Sequence, residues 1–462
     1  MVPLVPALEA SGLGARAVSA KASLFARARQ ALPPDASSAP PMAFFVPGRI
    51  EVLGKHTDYA GGRSLLCAVE QGFCVVATPG RDRRVRACNA ATGELAEWPL
   101  RSDIQPRRNH WSNYPATVVR RVAKNFPDAS VGVDIAFASD LPAASGMSSS
   151  SAFMIGVFLA LAEVNHLGAT APYRADICSA EALAAYLASI ENGRTFGALV
   201  GDSGVGTFGG SEDHTAILCC RPATLSQYRF APVSLERDAP MPAGHVLVVA
   251  FSGVLAEKTG AALDTYNRAS RAAARVLEIW QQASGRPDAT LEAAVSADPG
   301  AADEIRRAIT LARDDEFGAA RLTARFEQFV LESRSIIPAA GDALLARDLA
   351  RFGELVDRSQ DAAERWLGNQ VPETVGLARS ARELGAVAAS AFGAGFGGSV
   401  WALVPEVDSD RFSTGWERAY RQRHPGAAER AVFFQTAAGP AAMRIERLGD
   451  DHRPMGSGGE PA

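Results

Sequence analysis

At 462 residues the chain is long enough for two domains and a large core, and its 47% apolar and 21% charged residues are those of an ordinary globular protein. A net charge of -4 and a pI of 6.0 exclude a nucleic-acid footprint, and no apolar run is long enough to cross a membrane. Six cysteines without a CxxC pair and seven histidines without metal-ligand spacing point to buried free thiols in a reducing compartment and exclude a zinc site.

The first 41 residues are Ala-rich, with a helix expected over Ala17–Ala31 and a Pro/Ser/Ala connector over Pro33–Pro41. They lack the apolar core of a signal peptide, which predicts a cytoplasmic protein. Ala43–Val46 reads as a strand. It leads into Pro47–Gly62, a glycine-fenced stretch in which Arg49, Glu51, Lys55, His56 and Asp58 crowd together. So much charge reads as a loop that builds no core, whose groups either face water or converge on something polar. Strands are expected over Leu65–Ala68 and Phe73–Ala77, and a hairpin over Arg84–Ala87 and Leu95–Pro99. Trp111–Asn125 has helical spacing, with Val118, Val119 and Val122 on one face, and Val131–Ala136 alternates as a strand.

From Asp140 a small-residue loop runs into an apolar helix, Ala152–Glu163. Four consecutive serines, Ser148 to Ser151, exceed what a helix cap needs. The free N–H groups at such a helix start suit an anion such as phosphate, and the hydroxyls suit a magnesium ion; an ordinary capped helix is the alternative. The GxxxxGK[ST] pattern is missing, so a phosphate site here is of another kind. A helix over Ser179–Asn192 precedes the glycine-rich Thr207–His214, and Thr215–Cys220 is a strand or a helix start. Residues 221 to 243 carry four prolines and read as the passage between domains. The second half opens with a strand, Val246–Phe251, followed by amphipathic helices over Lys258–Ala283, Ala301–Asp314 and Asp342–Gln360. The loop Phe392–Ser399 then leads into a strand, Val400–Val404. Its GxGxxG string follows a helix and precedes a strand, the wrong order for a dinucleotide site. Gly449–Ala462 is polar, rich in Gly and Pro, and reads as disordered.

Together the three glycine-rich segments resemble the three motifs of the GHMP small-molecule kinases, and the first narrows the resemblance to the galactokinase branch. G-R-x-N-x-I-G-E-H-x-D-Y stands here as Gly48–Tyr59, P-x-G-x-G-L-S-S-S-A as Pro142–Ser151, and T-G-x-G-F-G-G-C as Phe392–Ser399. The similarity spans residues 42 to 445. It implies an α+β, two-domain fold: a ribosomal-S5-like domain over 42–230 and a ferredoxin-like domain over 231–448, with the active site in the cleft between them. A helix and linker over 1–41 would precede them, and the tail over 449–462 would follow. It also implies ATP and Mg2+, phosphoryl transfer to a sugar hydroxyl (the anomeric O1 in galactokinases), and a monomer whose partners are small molecules rather than nucleic acid or membrane.

By the same resemblance Gly146, Ser148, Ser149 and Ser150 would cradle the phosphates, with Gly395 nearby. Trp111, Asn113 and Tyr114 match the family's W-x-N-Y at adenine, where a buried aromatic cluster is the alternative. Ser149 and Glu191 would hold the metal, an exposed helix-end carboxylate being the alternative for Glu191. Asp213, aligned through Gly210 to the Asp of P-C-G-I-M-D-Q, would handle the hydroxyl proton beside Arg49; Asp202 is its rival. Lys55, His56, Asp58, Gly210 and Tyr266 would meet the sugar. The chain departs from the family at Glu51 (Asn), Lys55 (Glu), Ala144 (Gly), Ser151 (Ala), His214 (Gln), Phe392 (Thr) and Ser399 (Cys). Two readings of Lys55 stay open. It pairs with Glu51 or another carboxylate beside a neutral sugar, or it faces an anionic group such as the carboxylate of a uronic acid. The expected function is an ATP-dependent kinase for galactose or a related sugar. The alternatives are a catalytically silent sugar sensor on the same fold and a GHMP kinase for another sugar.

Overall fold

The computed structural model describes residues 4–33, 39–105, 107, 110–256 and 261–445, the side chains of 261–263 excepted. The C-terminal tail and the expected start of a helix at Lys258 lie outside these residues.

The strand that opens at Met42 does not stop where the apolar run ends. β1 (Met42–Leu53) continues through Pro47 and Gly48 into the charged stretch, because Ile50 and Val52 are core residues while Arg49 and Glu51 alternate to the other side. The expected loop therefore begins only at Gly54. β2 (Arg63–Pro79) is one long strand where two were expected, and it pairs antiparallel with β1 from Met42↔Ala77 to Leu53↔Leu65. β3 (Arg84–Asn89) and β4 (Leu95–Pro99) form the expected hairpin, and β5 (Val133–Ser139) lies antiparallel to β2 and parallel to β3. Residues 221 to 243 are not a passage between domains. They hold a hairpin, β6 (Thr224–Arg229) and β7 (Ser234–Pro240), that adds to β2, so the expected boundary at 230 falls inside the first sheet.

Both faces of this sheet are covered, which explains strands that are apolar without alternation. On one face Phe45, Cys74, Val76 and Ala138 meet Phe25 and Ala28 of the helix Ala15–Gln30, which a shorter helix, Leu4–Ala10, precedes. On the other, Phe44, Val46 and Val75 pack against the helices Asn113–Asn125, Ser149–Val164 and Ala180–Asn192. Thr215–Cys220 belongs to a further helix, Glu212–Cys219, rather than to a strand.

The second sheet holds β8 (His245–Phe251), β9 (Ala388–Ala391), β10 (Ser399–Pro405) and β11 (Val432–Thr436) in the order β11-β8-β10-β9, all antiparallel. The helices Pro372–Glu383 and Ser409–Arg423 cover one face. The other face, with Leu247, Val249, Trp401 and Leu403, joins the same apolar cluster as the first sheet. The two halves thus share a continuous core, which argues against free relative motion. β12 (Met443–Ile445) then returns to pair with β1. The helix expected over Asp342–Gln360 is two, Ile337–Leu345 and Leu349–Ala362, broken where Asp348 caps the second through the N–H of Arg351 (2.9 Å). A helical layer of Ala261–Ser284, Ala301–Leu311 and Gly318–Val330 packs over Ala60, and the last helix runs on into a wider π turn, Leu331–Ile336. Among the described residues no helix is long and apolar enough to cross a membrane.

The helix Ala15–Gln30 forms a full layer of the first sheet, so Phe25→Ala should cost about 3–5 kcal/mol in urea unfolding. A loss below about 1 kcal/mol would mean that this helix is dispensable to the core.

Candidate active site

The charged residues of β1 lead to the site. Arg49 is buried, and its guanidinium reaches two other segments. Nε and Nη2 lie 2.8 and 2.7 Å from Asp213 Oδ1, and Nη1 donates to the carbonyl of Gly146 at 2.6 Å. The ring of Phe392 lies 5.7 Å from the guanidinium carbon. Burial opposes the charge, yet Asp213, Glu212 and Glu51 together hold the pKa above the usual arginine value. Arg49 and Ala394 are the residues common to the walls of two adjoining pockets, an inner polar one and an outer cleft of about 630 Å³.

The inner pocket brings together most of the residues expected to meet a sugar. Asp58 Oδ2 accepts the N–H of Glu212 (3.1 Å) at the start of the helix that carries Asp213, and Oδ1 accepts the N–H of Tyr59 (2.8 Å). Gly210 is required for this approach. A Cβ there would overlap the Asp58 carboxylate and stand 2.8 Å from the nitrogen of Tyr59. The ring of His56 packs 5.4 Å from that of Tyr266. Its Nε2 donates to the carbonyl of Ala394 at 3.0 Å, and its Nδ1 lies within hydrogen-bond distance of the Tyr59 hydroxyl at 3.0 Å. Glu51 and Glu212, which the sequence did not mark as site residues, also line this pocket. Burial pushes the Glu51 carboxyl up to about 7 against the pull of Lys55 and Arg49. Burial, with the charges of Glu51 and Asp58, raises Glu212 well above the carboxylate range.

Lys55 is the main correction. It lines neither pocket. Its amine turns into the protein and donates to Ser359 Oγ (3.1 Å) and Ser390 Oγ (2.8 Å). Ser359 in turn donates to Glu332 at 2.8 Å. The cation is therefore balanced from within, by Glu51 and the Glu332 network, and does not present itself to a substrate anion. The backbone around it is clamped from the helix Gly318–Val330 and its π turn. Glu332 accepts the N–H of Gly54 (2.9 Å), Gln328 donates to the carbonyl of Lys55 (3.1 Å), and Arg325 donates to the carbonyl of His56 and to the Tyr59 hydroxyl. Residues 325, 328 and 332 follow helical spacing and grip backbone groups of three consecutive residues, Gly54, Lys55 and His56. That clamp holds His56 at a φ of 59°, a strained value for a histidine.

The outer cleft is walled by Trp111, Tyr114, Phe137 and Phe153, with Asn89 and Ala91 beside Phe137, and is also lined by Gly146, Ser148, Ser149 and Ser150 at the N-terminus of the helix Ser149–Val164. Ser148 takes a φ of 59°, and its hydroxyl is buried without a partner among the described residues. Trp111 is both cleft wall and part of an aromatic cluster, 5.9 Å from Phe137 and from Phe153. Three expectations are not met in this region. Asn113 heads its helix behind the wall rather than lining the cleft. Gly395 lines neither pocket; it packs where a Cβ would stand 2.5 Å from the side-chain nitrogen of Asn369. Glu191 lines the inner pocket while Ser149 lines the outer. The carboxylate of Glu191 accepts from Ser151 Oγ at 2.9 Å and lies 3.6 Å from His214 Nε2. Asp202, the rival of Asp213, faces Arg120 and Lys124 at 3.6 Å and lines neither pocket. Sequence reasoning also missed Asn192, Asn267 and Ser270, which bond the backbone of Gly209 (3.1 Å), Phe208 (2.9 and 3.0 Å) and Gly206 (2.9 Å) to hold the glycine loop.

Comparison with known proteins matches three parts of the chain to family models: a galactokinase galactose-binding signature over residues 35–79, the N-terminal domain of GHMP kinases over 113–201, and their C-terminal domain over 342–422. A galactokinase of Roseiflexus sp. (strain RS-1) is 28% identical over 424 residues, covering 88% of this chain and 93% of that protein. One from Actinobacillus pleuropneumoniae serotype 3 (strain JL03) is 26% identical over 369 residues, 78% of this chain and 85% of that protein. Among solved structures, Lactococcus lactis galactokinase complexed with galactose superposes with a TM-score of 0.74 at 21% identity, covering 88% of this chain and 96% of that one. A mevalonate kinase shares the fold more distantly, with a TM-score of 0.52 at 12% identity.

Two measurements probe this geometry. Gly210→Ala forces Asp58 and the Tyr59 backbone away from the helix start, so kcat/KM for the acceptor substrate should fall by about 10²-fold with the circular dichroism spectrum unchanged. The carboxyl of Glu51 rises from 4.5 unfolded to about 7 folded, so the fold favours its protonated form. Its stabilising contribution is full below the unfolded value and is lost as pH climbs through the folded one. Urea unfolding at pH ~5 and ~8 should therefore show wild type losing stability relative to Glu51→Gln as pH rises; a pH-independent difference would contradict the shift.

Proposed function

The chain belongs to the GHMP kinase superfamily, on its galactokinase branch, and is a phosphotransferase with an alcohol acceptor; from that premise we propose that it moves the γ-phosphoryl group of ATP to the anomeric hydroxyl of galactose or a closely related neutral hexose. One observation carries this reading. An inner polar pocket and an outer cleft lined by a serine-rich helix N-terminus meet at Arg49, which holds Asp213 on one side and the Gly146 carbonyl on the other.

In that arrangement the outer cleft takes the nucleotide. Trp111 and Tyr114 flank the base, and the N–H groups from Gly146 to Ser150 bind the phosphates. The inner pocket takes the sugar between His56, Asp58, Gly210 and Tyr266. Asp213 accepts a hydrogen bond from the reacting hydroxyl. Arg49 keeps that carboxylate ionised and stabilises charge on the transferring group. Magnesium would find hard oxygen donors in the serine hydroxyls of the outer cleft, including the unpartnered Ser148, while Glu191 stays on the inner pocket and accepts from Ser151. When bound, the ion would neutralise phosphate charge. Glu51, Asp58, Glu191, Glu212 and Asp213 line the inner pocket against the single guanidinium of Arg49, which favours a neutral sugar over a uronate. The intact Arg49–Asp213 pair favours catalysis over a silent sensor.

The test is ADP release with ATP, Mg2+ and a sugar panel, with the phosphate position read by phosphorus NMR. Turnover should be fastest on galactose or another neutral hexose and poor on galacturonate. Asp213→Ala should lower kcat by about 10²–10⁴-fold, while Asp202→Ala leaves it unchanged. Activity lost on Asp202→Ala and kept on Asp213→Ala would overturn the assignment.

A further inference from the structure

The imidazole of His56 lines the inner pocket and is 6% exposed, yet protein groups engage both of its ring nitrogens. Nε2 donates to the carbonyl of Ala394 at 3.0 Å, and Nδ1 lies 3.0 Å from the Tyr59 hydroxyl. A ring nitrogen offers one hydrogen or one lone pair, so each contact uses up its atom. The ring is also hemmed in by two others, Tyr266 centred 5.4 Å away and Tyr59 at 5.8 Å.

The two contacts lead in opposite directions. Behind His56, the Tyr59 hydroxyl accepts from Arg325 Nη2 at 3.2 Å, and the fully buried Arg325 also donates to the His56 carbonyl. The helix Gly318–Val330 thus fixes the residue at both its backbone and its ring. In front, Ala394 belongs to the third glycine-rich segment and borders the inner pocket and the outer cleft alike. Its carbonyl also accepts from Asn369 Nδ2 at 3.4 Å. The same segment packs onto the serine loop. Ser399 Oγ donates to the Ser145 carbonyl at 2.7 Å, and a Cβ on Gly393 would stand 2.7 Å from the Gly146 carbonyl. An unbroken series of contacts therefore runs from Arg325 through Tyr59 and His56 to the segment against which Ser145 and Gly146 rest.

We infer that His56 is a positioning residue rather than a ligand of the acceptor sugar: its imidazole is a strut between the Tyr59 hydroxyl and the Ala394 carbonyl, and it holds the third glycine-rich segment in place for the phosphates of the nucleotide. The inference rests on the sugar-kinase reading and deepens it, since it moves one residue of the first motif from the sugar side to the phosphate side. Without the strut, a loop with glycine at 393, 395, 397 and 398 and with Phe396 at a φ of 58° loses its support from the first segment.

Nucleotide affinity in the absence of sugar separates the two roles. A non-hydrolysable ATP analogue with Mg2+ is titrated calorimetrically into wild type, His56→Ala, His56→Gln and Tyr59→Phe, each checked for folding by circular dichroism. In parallel, kcat and both KM values are measured on the preferred sugar and its monodeoxy analogues. His56→Ala should weaken the nucleotide about 10-fold with no sugar present and raise the KM for ATP in step. Its loss of kcat/KM should be the same factor on every sugar, because no sugar hydroxyl has lost a partner. Tyr59→Phe should weaken the nucleotide in the same direction, and adding it to His56→Ala should cost little further. His56→Gln keeps an N–H for the Ala394 carbonyl and should recover most of the affinity. Tyr59→Phe removes a single oxygen, so it carries the test if the alanine variant does not fold. Unchanged nucleotide affinity in both variants, or a loss in His56→Ala that vanishes on one deoxy sugar, would overturn the proposal while leaving the kinase reading intact. A wild-type protein that phosphorylates no sugar would overturn the kinase reading and this inference with it.

Discussion

A guanidinium held almost without water is the constraint on which this site depends. A buried arginine must be compensated on every side its fork reaches, or the charge is too costly to bury. Arg49 meets that demand with Asp213 from the start of the helix Glu212–Cys219, the Gly146 carbonyl from the serine loop, and the ring of Phe392. Three segments far apart in the chain are thereby drawn to one side chain. The third accommodates them by being glycine at 393, where a Cβ would stand 2.7 Å from the Gly146 carbonyl and 3.3 Å from Arg49 Nη2.

The loops around this point are strained, and the surrounding helices hold them. His56, Ala144, Ser148 and Phe396 all take positive φ values without being glycine, and each belongs to one of the three glycine-rich segments. Such backbone persists only where neighbouring structure over-determines it. For the first segment that structure is the row Arg325, Gln328 and Glu332, bonded to Gly54, Lys55 and His56. The π turn at Leu331–Ile336 carries Glu332, in keeping with the frequent appearance of such turns at functional sites. The two halves of the molecule are joined by this clamp as well as by their common core.

Charge is arranged in two layers. Carboxyl groups line the inner pocket, and the compensating cation, Lys55, lies behind them in contact with Ser359 and Ser390. A lysine in a motif that elsewhere carries glutamate suggests a new group for the substrate. Its burial makes it instead a structural counter-ion to Glu51 and Glu332, and selectivity passes to the residues that do face the pocket.

The sequence by itself determined the chemistry of the motifs. Glycine spacing, the serine run ahead of an apolar helix, and Arg49, His56, Asp58 and Asp213 were legible as motif residues, and the structure brings those four side chains to the wall of one pocket. The sequence also marked many of the strands and helices with an apolar face, but assigned no element over Gly318–Val330, Pro372–Glu383 or Ser409–Arg423, which bury one as well. It misled where polar residues are buried. Arg49 and Glu51 made β1 look like a loop, since strand alternation is hard to recognise when the polar side faces a pocket rather than water. Arg325, Gln328 and Glu332, which the sequence did not mark, grip the first segment from a helix and its π turn. Gly395 and Asn113 kept their motif positions without reaching the cleft. Only the tertiary structure decided that Lys55 turns inward and that Glu51 and Glu212 line the inner pocket. Those directions depend on Ser359 and Ser390, 304 and 335 residues from Lys55, and on Ser64, 148 residues from Glu212. No local pattern encodes which way a long charged side chain turns when its partners come from across the fold.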